Sequence, residues 1–202
     1  MWYDVIIVGG GASGLSCALT LASAKGRGWN WVEDKRFLVI DEGRSDMNRA
    51  LFKNVPGVES GTLGKDLLKK IRQQIESFGS VDFVEDKVIR AEGERGSFRV
   101  FTEKGREFGS EFLVLASGFH RFEIEGLGVK VVENPRSPKP GRVMVVHDGN
   151  YRVRDGLYVA GLLAGVSSMF TAAAGSGVQV AVDILSIWAG RPVVIHDVPE
   201  GS

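Results

Sequence analysis

A strand-like run, Tyr3-Asp4-Val5-Ile6-Ile7-Val8, leads without a break into Gly9-Gly10-Gly11-Ala12-Ser13-Gly14, and Leu15-Ser16-Cys17-Ala18-Leu19-Thr20-Leu21-Ala22 follows. An apolar strand, a G-x-G-x-x-G turn and a helix of small and apolar residues make the βαβ entry of a dinucleotide-binding fold. Gly9 permits the sharp turn out of the strand, Gly11 lets the backbone approach a pyrophosphate, and Gly14 lets the helix lie close to the sheet. Phosphates would meet the free N–H groups and positive end of that helix, where Ala12 and Ser13 form the first turn.

A glycine-rich loop alone is a weak signal, and here its flanks support it. A second apolar run, Phe37-Leu38-Val39-Ile40, ends in Asp41. An acid at this place accepts hydrogen bonds from ribose hydroxyls; otherwise Asp41 is an ordinary strand-end turn residue before Glu42-Gly43. The gap to this acid exceeds the usual spacing of about 20 residues. A polar stretch over 25–36, with Trp29 and Trp31, makes the difference. That tryptophan pair is expected either to form a dimer or partner contact or to pack on the domain's own edge.

The chain has 202 residues, with 25 Lys and Arg against 25 Asp and Glu. This length suits a single domain over 1–202, and the charge balance gives no reason to expect nucleic acid or an anionic membrane as partner. One cysteine, Cys17, rules out an internal disulfide and a C-x-x-C pair within these residues. It falls one turn into the first helix, where a buried small residue is the expected role. No signal peptide precedes the first strand and no apolar run approaches the roughly 18 residues of a membrane span, so a soluble cytoplasmic protein is expected.

Leu63, Leu67, Leu68, Ile71, Ile75 and Phe78 recur at helical spacing, with Gly79 as the stop. Val81-Asp82-Phe83-Val84 then reads as a third parallel strand. Segments 87–91, 97–102 and 106–112, joined by glycine-bearing turns, read as an antiparallel meander. Phe112-Leu113-Val114-Leu115 is a fully apolar strand ending at Ala116-Ser117-Gly118. Residues 119–140 read as a loop-rich connection, and 143–146 with 151–153 as a hairpin over His147-Asp148-Gly149-Asn150. Leu157-Tyr158-Val159-Ala160 is the last core strand, and a helix over 172–188 closes the chain. The expected architecture is a three-layer α/β domain of the FAD/NAD(P)-binding Rossmann type, with a central parallel sheet and a β-meander on one face.

From Asp4 to about Gly190 the pattern resembles the FAD domain of the thioredoxin reductase family. Gly9, Gly11, Gly14 and Asp41 match its nucleotide half. Asn54-Val55-Pro56-Gly57 is similar to its Asn-aromatic-Pro-Gly loop beside the flavin ring, and Leu115-Ala116-Ser117-Gly118 to its A-T-G strand end. Gly156-Leu157-Tyr158-Val159-Ala160-Gly161 resembles the G-hydrophobic-A-G-D segment, and Ala174-Gly175-Ser176-Gly177 the start of its final helix. The resemblance implies that FAD is held by Gly9, Gly11, Ala12, Ser13 and Gly14 in the turn and by Asp41, Glu42, Gly43 and Arg44 after the second strand. It adds Asn54 in the loop, Val88 in the meander, Ala116, Ser117 and Gly118 at the strand end, Gly161 and Leu162, and Phe170 and Thr171 before the final helix.

Two departures shape the functional expectation. Only 119–142 stand where the family inserts an NADPH domain with C-x-x-C, so the chain resembles the short thioredoxin reductase-related proteins in which the FAD fold stands alone. Leu162 occupies the position of the A-G-D aspartate, whose lost hydrogen bond is worth about 0.5–1.5 kcal/mol. The implied function is a flavoprotein oxidoreductase passing electrons from an external donor, free NAD(P)H or a partner reductase, without dithiol chemistry. A non-catalytic FAD-binding redox sensor or subunit, and an NAD(P)-binding protein without flavin, are the alternatives. No acid-base or nucleophilic catalyst and no metal site stands out; His120 is either a proton relay or an exposed loop histidine.

Overall fold

The computed structural model describes residues 1–197. β1 (Trp2–Val8) passes through the glycine turn into α1 (Ala12–Ser23) and returns as β2 (Phe37–Asp41). A 3-10 turn over Asp46–Arg49 and a small hairpin of β3 (Leu51–Phe52) with β4 (Thr62–Leu63) precede α2 (Gly64–Glu76) and β5 (Val81–Glu85). The meander is β6 (Val88–Glu92), β7 (Phe98–Thr102) and β8 (Glu107–Leu115). Next come β9 (Val131–Glu133), β10 (Val143–Val145), β11 (Arg152–Arg154) and β12 (Leu157–Val159). A second 3-10 turn over Gly161–Ala164 leads to α3 (Phe170–Ala189).

The main sheet runs β11-β12-β8-β1-β2-β5, parallel from β12 to β5, with β11 antiparallel at the edge. Strand side chains alternate between faces, which explains the division of the core. Val5, Ile7, Phe37, Val39, Phe112 and Val114 face the three helices. Ile6, Val8, Leu38, Ile40, Leu113 and Leu115 face Phe98, Val100 and Phe108 of the meander, with Leu127 and Val145. Helices, parallel sheet and meander are the three expected layers.

Two local expectations give way. Segments 106–112 and 112–115 are one strand, β8, antiparallel to β7 in its first half and parallel to β1 from Gly109 onward. The shift from alternating to continuous apolar residues marks the strand's entry into the sheet centre, where both faces are covered. The hairpin over 147–150 does not form: β10 pairs with β9, inside the supposed loop, and β11 pairs with β12. The His147 imidazole Nδ1 accepts the N–H groups of Gly149 and Tyr151 at 3.1 and 3.2 Å, and Tyr151 turns to φ 66°. This side-chain closure replaces a strand ladder.

α3 is long and apolar enough to cross a membrane by length and composition. Here its inner face, including Ala173, Val180, Ala181 and Ile184, belongs to the helix-side core. Trp29 and Trp31 stack with ring centroids 5.2 Å apart and pack, half-buried, against that same core.

Cys17 is fully buried in α1, and burial pushes its thiol well above the ordinary range. The native protein is therefore expected to react with a small aromatic disulfide reagent at least about a hundred-fold more slowly than the urea-unfolded chain. Equal rates would show that α1 opens freely.

Candidate nucleotide site

A cleft of about 520 Å³ opens at the carboxyl ends of β1, β2, β5 and β8. The chain moves from β1 to β2 on one side and pairs β8 on the other, so this is the topological switch point, where ligands of open α/β sheets bind. Its volume falls within the range of ligand clefts, about 300–1,000 Å³.

Its floor is the glycine turn. Gly9 takes φ 113°, and a Cβ there would overlap the Ala116 carbonyl, so strand end and turn touch backbone to backbone. The Gly9 N–H donates to the Ile40 carbonyl at 2.8 Å, and the Ala116 N–H to the Val8 carbonyl at 2.8 Å. α1 begins at Gly11 without a side-chain cap and without an acidic residue in its first turn. Its first N–H groups have no intrahelical partner and lie at the cleft, a site suited to an anion.

Asp41 serves this loop directly. Its Oδ1 accepts the Gly10 N–H at 2.9 Å, and a Cβ on Gly10 would stand 2.8 Å from the carboxyl group. The acid at the end of β2 thus holds the turn as well as lining the cleft.

Of the sequence-derived residues, Gly9, Gly11, Ala12, Ser13, Asp41, Glu42, Arg44, Val88, Ala116, Ser117, Gly118 and Leu162 line the cleft. Gly14 and Gly161 lie behind it. A Cβ on Gly14 would strike the Gly9 carbonyl, and one on Gly161 the Ser13 side chain. Gly43 is an exposed loop residue outside the lining. Asn54, Phe170 and Thr171 also stand outside it. Asn54 and Thr171 are exposed, and their segments meet through an edge-on Phe52–Phe170 contact at 5.7 Å. Leu162 is half-buried against the helix-side core, and its carbonyl accepts from Asn134 Nδ2 at 3.0 Å.

Several lining residues carry no sequence motif. His120 Nε2 lies 2.9 Å from both carboxylate oxygens of Asp46, an exposed contact between residues 74 apart in sequence that spans the cleft mouth. Lys87 and Arg121 share Glu123 at 2.9 and 3.1 Å. Asp86 is nearly fully buried and paired with Arg106 at 2.7 Å, and it also accepts the Lys87 N–H at 2.8 Å. Burial works against its charge, but Thr102, Arg106 and the N–H groups of Lys87 and Lys104 outweigh it and hold the carboxyl below its ordinary range. Its place directly after β5 was the available signal. Arg142 enters the lining from the start of β10. Among the described residues no group of three or more His, Cys, Asp or Glu is placed to hold a metal ion.

No family model matches the chain. The thioredoxin reductase of Aquifex aeolicus (strain VF5) is 32% identical over 171 residues, covering 78% of this chain and 50% of that protein. The chain therefore spans about half the length of this relative. A thioredoxin reductase from Gloeobacter violaceus superposes with TM-score 0.76 at 16% identity, over 98% of this chain and 99% of that one. An oxidoreductase from Agrobacterium tumefaciens gives TM-score 0.74 at 18% identity, over 93% and 99%. At these identities the structural likeness shows the fold, a mixed α/β domain of the thioredoxin reductase type.

Asp86 bolts the meander to the cleft wall, so Asp86→Asn is expected to cost about 1–2 kcal/mol at pH 7, allowing for the solvent around half-exposed Arg106. Because the folded carboxyl titrates below the ordinary aspartate range, this stabilisation is present above about pH 4 and is lost as pH falls below it. Urea unfolding of both proteins at pH 7 and pH 3 checks this; a difference that grows toward acid would contradict it.

Proposed function

We propose that this chain, a homologue of thioredoxin reductase over 78% of its length that spans half of that relative, is an FAD-binding oxidoreductase unit that draws electrons from an external donor. The carrying observation is the convergence of the Gly9 turn, the uncapped start of α1 and Asp41 in one cleft at the switch point of the sheet.

In this reading the N–H groups of Gly11, Ala12 and Ser13 hold the diphosphate, with Gly9 and Gly14 fixing the turn that presents them. Asp41, with Glu42, Gly43 and Arg44 beside it, receives the adenosine ribose, while Val88 and Ala116-Ser117-Gly118 form the walls of that half. Gly161 and Leu162 begin the flavin half, which continues toward Asn54, Phe170 and Thr171. Bound flavin supplies the hydride or electron chemistry, and the protein supplies position and electrostatics. Leu162 gives the ribityl chain no acceptor side chain. His120 is engaged with Asp46 at the mouth, so no side chain is assigned a catalytic proton.

The donor is free NAD(P)H or a partner reductase, and dithiol chemistry has no place because Cys17 is the one cysteine of the 202 residues. The proposal further takes 1–202 as one FAD-binding domain working in the cytoplasm, as a monomer or homodimer, without nucleic acid or membrane as partner. The exposure of Asn54 and Thr171 favours a second reading, a non-catalytic FAD-binding sensor or subunit, because the flavin half is left open. Binding of NAD(P) without flavin is a third.

Titration of the flavin-free protein is expected to show FAD binding at least about ten-fold tighter than FMN, since FMN lacks the second phosphate and the ribose that Asp41 addresses. Equal affinities would overturn the assignment. In anaerobic stopped flow, the FAD-loaded protein is expected to lose flavin absorbance at a rate linear in NAD(P)H up to about millimolar, with no pocket concentrating the donor. Saturation at micromolar NADPH would contradict the external-donor reading, and absence of reduction would select the sensor.

A further inference from the structure

Almost every charged side chain around the cleft is answered within the chain. Asp41 takes the Gly10 N–H, Asp46 faces His120, Asp86 takes Arg106, and Glu123 takes Lys87 and Arg121. Glu42 stands 3.8 Å from Arg44. Arg142 is the exception. Among the described residues its guanidinium has no carboxylate partner, and its Nε is a buried donor with no acceptor. Its one side-chain neighbour of note is the Phe119 ring, 5.6 Å away.

An unanswered buried N–H costs about as much as a lost hydrogen bond, about 1–3 kcal/mol, and such groups are rare unless something fills them. The position is nevertheless held firmly. The Arg142 carbonyl accepts the Asn134 N–H at 2.7 Å, and the next N–H, of Val143, donates to the Phe119 carbonyl at 2.8 Å. Asn134 in turn ties this small β9–β10 sheet to the Leu162 carbonyl. The backbone thus fixes where the cation enters a cleft that the uncapped end of α1 also lines. A diphosphate there carries more negative charge than a helix end neutralises, since the helix contributes about half a unit.

We propose that Arg142 donates to a phosphate oxygen of a diphosphate-bearing ligand seated on the α1 turn. This rests on the dinucleotide reading of the cleft, and it adds a binding residue from 119–142, the stretch that stands where the resemblance expects a nicotinamide domain.

The test is calorimetric titration of flavin-free wild type, Arg142→Met and Arg142→Lys with ADP, adenosine and FAD, with thermal unfolding of each unliganded protein. Arg142→Met is expected to lose about ten- to a hundred-fold in affinity for ADP and FAD, with adenosine unchanged within two-fold. Arg142→Lys is expected to fall between, because it keeps the charge and not the forked donors. Unliganded Arg142→Met is expected to melt no lower than wild type, since it removes an unanswered donor. ADP binding to Arg142→Met at wild-type strength would overturn the proposal. So would equal losses for adenosine and ADP, which would place Arg142 against the base, or a loss accompanied by lower unliganded stability. If wild type binds ADP but not FAD, the flavin reading fails and Arg142 stands; if FAD binds both proteins alike, Arg142 fails and the flavin reading stands. Wild type binding neither overturns both.

Discussion

The structure depends on backbone meeting backbone at the turn from β1 to α1. A side chain at Gly9 would enter the Ala116 carbonyl, and one at Gly14 would enter the Gly9 carbonyl. On the other side of α1, side chains at Gly161 and Gly177 would strike Ser13. Four glycines from the two ends of the chain therefore clamp one helical turn. Closeness of this kind leaves α1 pressed between sheet and α3, with its first N–H groups at the floor of the cleft. Dispersion contacts at such density are lost steeply with small separations, so the clamp also fixes the orientation of the helix end.

From that clamp the site follows. The cleft opens at the carboxyl ends of β1 and β8, and Asp41 and Asp86 close the side toward β2 and β5, Asp41 holding the Gly10 N–H and Asp86 the Lys87 N–H and Arg106. The other wall is formed by residues of 116–124 and by Arg142, which the small β9–β10 sheet holds through the Asn134 N–H. The Aquifex aeolicus relative is twice as long as the matched stretch, and His120, Arg121, Glu123, Ile124 and Arg142 of this chain line the cleft.

Much of this was legible in the sequence because it is local. The Gly9–Gly14 turn, the unbroken apolar run Val5 to Val8 and the acid after Ile40 each encode their structure within a few residues. What was not legible depends on distant partners. β10 pairs with β9 while His147 closes its own turn, and no local pattern distinguishes that from a hairpin. The His120–Asp46 contact joins residues 74 apart, and Arg142 is informative only through what it lacks, which requires all its neighbours to be known. The flavin-side motif residues show the reverse. Asn54 and Thr171 matched family landmarks, yet they stand outside the cleft as it is formed here.

The central claim is that a dinucleotide lies on the α1 turn. Amide hydrogen–deuterium exchange with and without FAD tests it most directly, because the N–H groups concerned are those of the turn itself. Slowed exchange over 9–14, together with 41–46 and 116–118, is the result this account predicts. Unchanged exchange over 9–14 with protection elsewhere would show that the ligand, if bound, sits on another part of the molecule.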